Sequence, residues 1–148
     1  MRFRTLKQLA ELCENEKKTI GKLMLEEQCR ESGRSAEQEF RKMFDYYQVM
    51  KEAVRRGLTE DTTSRSGLTG KDAQRVASYM ETADPSVGAV ACEAMAYALA
   101  VSEVNASMGR IIATPTAGSC GIIPGVFVSS QKRFGWDDEK MTYGLFAA

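Results

Sequence analysis

Asp84-Pro-Ser-Val-Gly-Ala-Val-Ala-Cys-Glu-Ala-Met-Ala-Tyr-Ala-Leu-Ala-Val-Ser-Glu-Val-Asn-Ala-Ser-Met-Gly109 is apolar on nearly every side of a helical projection. Val87, Val90, Ala91, Ala94, Met95, Ala98, Leu99 and Val101 leave no wide polar face, the mark of a helix packed among other helices. Its alanines allow neighbours to come close. Asp84 before Pro85 reads as a cap with proline at the first helical position, and Gly109 reads as the stop. Cys92 within it is a packing residue. Glu103 and Asn105 are the exceptions, because polar groups at the end of a buried helix need partners.

The segments on either side supply the helices to surround it. Thr5 to Gln8 forms a capping box ahead of Leu6, Leu9, Leu12 and Cys13, giving a short helix to about Glu16. Thr19 caps a second helix that Ser32-Gly33 stops. Ser35 to Gln38 repeats the capping box, and Phe40, Met43, Phe44, Tyr47, Met50 and Val54 keep helical spacing up to Gly57, expected as the residue just past the helix end. Leu58 to Lys71 is rich in hydroxyls and glycine and reads as an exposed connection, with Thr69 and Asp72 opening a helix whose buried side carries Ala73, Val76, Ala77 and Met80. Ile111 to Thr114 is β-branched but has no second strand to pair with, so it reads as extended loop. A helix follows from near Ile122 to Gly135, with Pro124 in its first turn, and Asp137 or Asp138 caps a last one. The pattern predicts an all-α, multi-helix globular domain with a Gly/Pro-rich loop between two core helices. The last helix ends on Leu145-Phe-Ala-Ala148 with no cap or polar tail, so the chain reads as truncated within a longer one.

Composition narrows the function. The 148 residues suffice for one core, and 43% hydrophobic with 27% charged residues is ordinary for a globular domain. Twenty basic residues balance twenty acidic ones, leaving no electrostatic footprint for nucleic acid or an anionic membrane. Met1 to Lys7 is charged rather than leading into an apolar signal core, and no apolar run reaches spanning length, so the expected location is cytoplasmic. Cys13, Cys29, Cys92 and Cys120 never form C-x-x-C, which argues against a local zinc site, and without a signal peptide they are poor material for disulfides. Histidine is absent. Any general base must then be Asp, Glu, Lys or Tyr, or come from another chain.

The chemically suggestive stretch is Ile111-Ile-Ala-Thr-Pro-Thr-Ala-Gly-Ser-Cys-Gly-Ile-Ile-Pro-Gly125, a cysteine in a glycine-punctuated loop. Gly118 and Gly121 are expected to permit turns closed to other residues, and Gly121 to leave room beside the Cys120 sulfur for a bulky group. Cys120 falls at the start of the following helix, where the partial positive charge favours a thiolate suited to metal ligation or nucleophilic attack. The simpler reading is a buried turn with Cys120 as small apolar filler. Two sharper motifs fail. Gly70-Lys71 is no phosphate loop, because Asp72 replaces the hydroxyl that would hold magnesium and Arg65 stands at the first glycine. Gly118-Ser119-Cys120-Gly121 is no papain-like nucleophile loop, because Gly121 replaces an aromatic and no histidine exists to activate the thiol.

Three stretches carry a family resemblance: Ala-Val-Ser-Glu-Val-Asn-Ala-Ser-Met-Gly at 100–109, Ala-Thr-Pro-Thr-Ala-Gly-Ser-Cys-Gly-Ile-Ile-Pro-Gly at 113–125, and Ser-Gly-Leu-Thr-Gly-Lys-Asp-Ala at 66–73. Together with Val-Arg-Arg-Gly-Leu at 54–58 and the N-terminal helices, they resemble the alpha subunit of bacterial iron-sulfur L-serine dehydratase, also called L-serine deaminase. The resemblance implies the N-terminal portion of an all-helical catalytic domain that holds a [4Fe-4S] cluster through three cysteines. Cys120 matches the first. The other two belong to a later segment outside this chain, and Cys13, Cys29 and Cys92 do not match ligand positions. It also implies L-serine as substrate, an ammonia-lyase reaction yielding pyruvate and ammonia in amino-acid catabolism and gluconeogenesis, and no pyridoxal phosphate. A beta subunit carrying a Ser-Ser-His-Thr segment is the implied partner, which agrees with the absence of histidine here.

Under this resemblance Asn105, Thr116, Gly118 and Ser119 line the substrate pocket by side chain or backbone NH, and Cys120 is the metal ligand. No residue of this chain is assigned as the catalytic base. A purely structural role for the four pocket residues, bracing the loop, is equally open, since Thr and Asn commonly satisfy turn backbone groups. Two other functions compete: a related iron-sulfur lyase such as an L-cysteine desulfidase, and a non-enzymatic helical binding module in which the glycine loop is only a turn.

Overall fold

The computed structural model describes residues 3–148, so Met1 and Arg2 of the charged N-terminal run lie outside the described residues. Every regular element among them is helical: α1 (Leu6–Glu16), α2 (Ile20–Ser32), α3 (Ala36–Thr59), α4 (Asp72–Thr82), α5 (Ala89–Ala106), a 3-10 turn (Ala117–Ser119), α6 (Ile122–Phe134) and α7 (Asp138–Ala147). No helix is long and apolar enough to cross a membrane. The described residues pack as two compact units, one of residues 3–45 and 137–148, the other of residues 46–136.

The caps expected in the first unit form. The Thr5 hydroxyl accepts from the Gln8 amide at 3.2 Å and the Thr19 hydroxyl from Lys22 at 3.4 Å, while Gly33 closes α2 in the left-handed region at φ 71°. At the start of α3, Ser35 and Gln38 exchange side chain-to-backbone bonds of 3.2 and 3.1 Å. The Asp137 carboxylate takes the Lys140 amide at 2.7 Å and starts α7. Gly21 lets α2 lie against α7, where any Cβ would strike the Tyr143 carbonyl. Phe40 packs its ring 5.0 Å from that of Tyr143.

In the second unit α5 is central. It packs against α4 and α6, with Cys92, Ala96, Ala100, Val101 and Val104 buried. The last turns of α3 also lie on it. Gly57 was expected to follow the helix end, but α3 continues to Thr59 and Gly57 is buried inside it, where a Cβ would collide with the Ala100 carbonyl oxygen. Gly57 is therefore a close-approach residue. The start of α5 also differs from expectation. Asp84-Pro85 belongs to a turn closed by the Gly88 amide on the Pro85 carbonyl at 2.8 Å, and the helix begins only after Gly88, whose φ of 79° interrupts helical geometry. At its other end the helix stops at Ala106, before Gly109, with Met108 left-handed and the Gly109 amide returning to the Val104 carbonyl at 2.7 Å. Tyr47 donates to Gln131 at 2.8 Å, tying α3 to α6.

Candidate functional site

The 109–121 connection leaves α5, runs extended, passes a cis Thr114–Pro115 bond and tightens into the 3-10 turn before α6. Its polar side chains bind the loop to itself. The Thr116 hydroxyl accepts from the Ser119 amide at 3.2 Å, the Ser119 hydroxyl accepts from the Thr116 amide at 3.4 Å, and it lies 2.8 Å from the Thr114 carbonyl, to which it donates. From α5, the Asn105 amide donates to the Ala117 carbonyl at 3.1 Å. Asn105, Thr116 and Ser119 are thus brought together around one turn, braced by their own hydrogen bonds. Gly118 sits exposed on that turn with only the Thr116 hydroxyl, at 3.8 Å, near a would-be Cβ.

Cys120 follows the turn and points inward. It is fully buried with Ala53, Val54, Val101 and Val104, and Leu58, Tyr97, Ile111 and Val128 pack around that cluster. The expectation of a thiolate favoured by the helix start is reversed: burial pushes the Cys120 thiol up, because a charged sulfur would lose its hydration there. Gly121 does not make room beside that sulfur either. Its backbone is ordinarily helical, at φ −84° and ψ −24°, and a Cβ would strike the Ala98 carbonyl, so its small size serves the approach of α6 to α5.

Glu103 is the partner problem solved in an unforeseen way. It is 96% removed from solvent, at 4% exposure, yet its carboxylate accepts the Asp72 amide at 2.6 Å, the Ala73 amide at 3.3 Å and the Thr62 hydroxyl at 3.4 Å. The first amides of a helix lack intrahelical acceptors, and a carboxylate there also meets the positive end of the helix dipole. Asp72 does open α4, but neither it nor Thr69 provides the cap. The residue before the helix, Lys71, is left-handed at φ 67° and makes no side-chain capping bond. The hint in the sequence is a Glu near the end of an otherwise apolar helix, which needs a partner. Beside this junction an open polar cavity of about 320 Å³ is lined by Thr63, Thr69, Gly70, Lys71 and Arg75, among others.

The 66–73, 100–109 and 113–125 stretches are therefore joined within one unit: Asp72 to Glu103, Asn105 to Ala117, Gly121 against Ser102. The family model described as "Serine dehydratase alpha chain" matches residues 15–148. The chain belongs to the serine dehydratase alpha-chain family. It is 36% identical over 146 residues to the probable L-serine dehydratase alpha chain of Bacillus subtilis, covering 99% of this chain and 48% of that protein. It is 32% identical over 145 residues to the L-serine dehydratase alpha chain of Peptoniphilus asaccharolyticus, covering 97% and 49%. An L-serine dehydratase of Streptomyces coelicolor is 35% identical over 127 residues, 84% of this chain and 27% of the relative. The chain thus spans about half the length of the alpha-chain relatives it matches. No solved structure matches it.

For this alpha-chain family member, the fit to an iron-sulfur cluster can be judged on its donors. Among the described residues no three Cys, His, Asp or Glu side chains gather in a metal-binding group. Cys13 and Cys29 lie in the first unit, and Cys92 is buried separately in α5. Cys120 is a soft donor of the right chemistry, but one thiol does not make the three-thiolate set of such a cluster. The residues of this chain alone supply one such donor and do not complete the group.

Proposed function

We propose that this chain is the N-terminal half of the alpha subunit of an L-serine ammonia-lyase that works with a beta subunit in the cytoplasm. The observation that carries the reading is the physical joining of the three family stretches, with Asp72 on Glu103 and Asn105 on the turn before Cys120. Serine loses its α-proton and its hydroxyl as water to give aminoacrylate, whose imine tautomer takes up water and yields pyruvate and ammonia. In this reading Cys120 is one of three cysteine ligands of a [4Fe-4S] cluster, with the other two outside this chain and no pyridoxal phosphate involved. A cluster so held would supply an iron with an open position, a Lewis acid for the serine hydroxyl.

The chain's own contribution is positioning. Asn105, Thr116 and Ser119 hold the turn in one shape, and Gly118, exposed without a Cβ, lets a small substrate reach the backbone. Ligation by Cys120 requires the apolar cluster that buries it, against which Ile111 packs, to give way. The base is not a histidine of this chain, which has none.

The buried thiol favours a second reading, in which Cys120 only fills the core. One experiment separates the two: Cys120→Ser and Cys120→Ala in the complete alpha–beta enzyme, anaerobically reconstituted. Loss of the cluster's visible absorption and of pyruvate release from serine is expected in both variants. Retention of either property overturns the ligand assignment, and comparison of serine with cysteine as substrate separates a desulfidase.

A further inference from the structure

α5 and α6 run antiparallel along small residues: Gly121 meets Ala98 and Ser102, and Gly125 lies 2.6 Å, at its would-be Cβ, from the Ala94 carbonyl. One position on from each contact residue stand Met95 and Leu99 on α5, and Ile122 and Val126 on α6. In an antiparallel pair these two flanks lie on the same side of the contact line, so the four residues form one face, extended by Ala91 and Ser102. All four large apolar side chains are exposed, from 37% for Leu99 to 62% for Ile122. Two adjoining helices with their apolar flanks in water form the kind of patch that marks an interaction surface. The face begins at Ile122, two residues from Cys120, next to the turn that carries the incomplete donor set.

We propose that this α5–α6 face docks the remaining half of an alpha chain, the polypeptide present in the relatives and not aligned with this one. Two observations choose that occupant over a second copy. The alpha-chain relatives carry about as much chain again as is aligned here. The face is also continuous with the Cys120 turn, where the missing donors would have to arrive. The proposal rests on family membership and, for the place where the second half arrives, on the ligand reading of Cys120; the retention test reads neither cluster nor turnover, so the two can fail separately.

The test co-expresses this chain with a tagged polypeptide made of the residues of the Bacillus subtilis alpha chain that lie outside the aligned stretch. Purification through the tag should retain this chain at one-to-one stoichiometry. A Met95→Glu/Val126→Glu pair should reduce retention by about tenfold or more, since charge is placed at the centre of the contact. Tyr79→Glu, on exposed α4 surface, should leave it unchanged, and Leu99→Lys serves as a second variant. Circular dichroism of each variant checks that helix content is kept. Failure to retain the wild-type chain, retention indifferent to both face variants, or a homodimer that the same variants dissociate overturns the proposal. The readout involves neither cluster nor turnover, so loss of lyase activity elsewhere does not decide it.

Discussion

One oxygen of the Glu103 carboxylate receives the Asp72 amide at 2.6 Å, so a residue near the end of α5 caps the beginning of α4 across 31 positions of chain. This bond makes the hydroxyl-rich 60–71 loop and the buried helix mutually dependent. It also accounts for a carboxylate in an otherwise apolar helix: the amides of Asp72 and Ala73 and the Thr62 hydroxyl satisfy it.

Glu103→Ala strands these donors in a buried place and should cost about 2–3 kcal/mol of stability. Glu103→Gln keeps a carbonyl acceptor and should cost less. Urea unfolding of the chain checks the order; an alanine variant within about 0.5 kcal/mol of wild type would show that the cap does not matter.

Gly121 and Gly118 should part company. A Cβ at 121 meets the Ala98 carbonyl, which is backbone and cannot swing away, so Gly121→Ala should destabilise by about 1–3 kcal/mol. Gly118→Ala has open space and no left-handed φ, and should stay within about 0.5 kcal/mol. Thermal unfolding of the two variants decides, and equal effects would contradict the packing described.

Thiol labelling should sort the four cysteines by burial. Cys13 and Cys29 are partly exposed, Cys92 and Cys120 buried. A disulfide reagent at about pH 8, near the ordinary thiol range, should modify two thiols quickly and two only as the chain opens. Cys120→Ser should remove a slow one. Fast reaction at Cys120 would mean that the 114–121 turn exposes its sulfur readily.

Acid should loosen the junction after α3. Arg56 and Arg55, each 2.8 Å from Glu60, hold its carboxyl below the ordinary 4.5, and the Thr63 hydroxyl and Lys71 hold Asp61 below 3.8. Depressed values mean that both groups favour the folded state above their ordinary values, and that this contribution disappears as pH falls through the lower folded ones. Stability should therefore decline below about pH 4.5 more steeply in wild type than in a Glu60→Gln/Asp61→Asn variant, by a modest, salt-sensitive margin because the groups are exposed. Parallel pH profiles of the urea midpoint would remove these ion pairs from the account.

What the sequence determined by itself was whatever closes within a turn or two of the chain. The caps at Thr5, Thr19, Ser35 and Asp137, and the glycine stops at 33 and 135, bind donors and acceptors no more than four residues away, so their chemistry is written locally. The three family stretches were legible for the same reason, as strings of residue types. Tertiary structure decided the rest. Gly57 reads as a stop because nothing local shows that Ala100 will press on it; Asp84-Pro85 reads as a helix start, yet the chain closes a turn there and α5 begins only after Gly88, at φ 79° and ψ 151°. Glu103 found its donors 31 residues back, and Cys120 its apolar shell on α3, α5 and α6. Whether a thiol meets water or a valine depends on which helices arrive beside it. Burial, which pushes that thiol up, is a property of the packed unit and not of the neighbours in sequence.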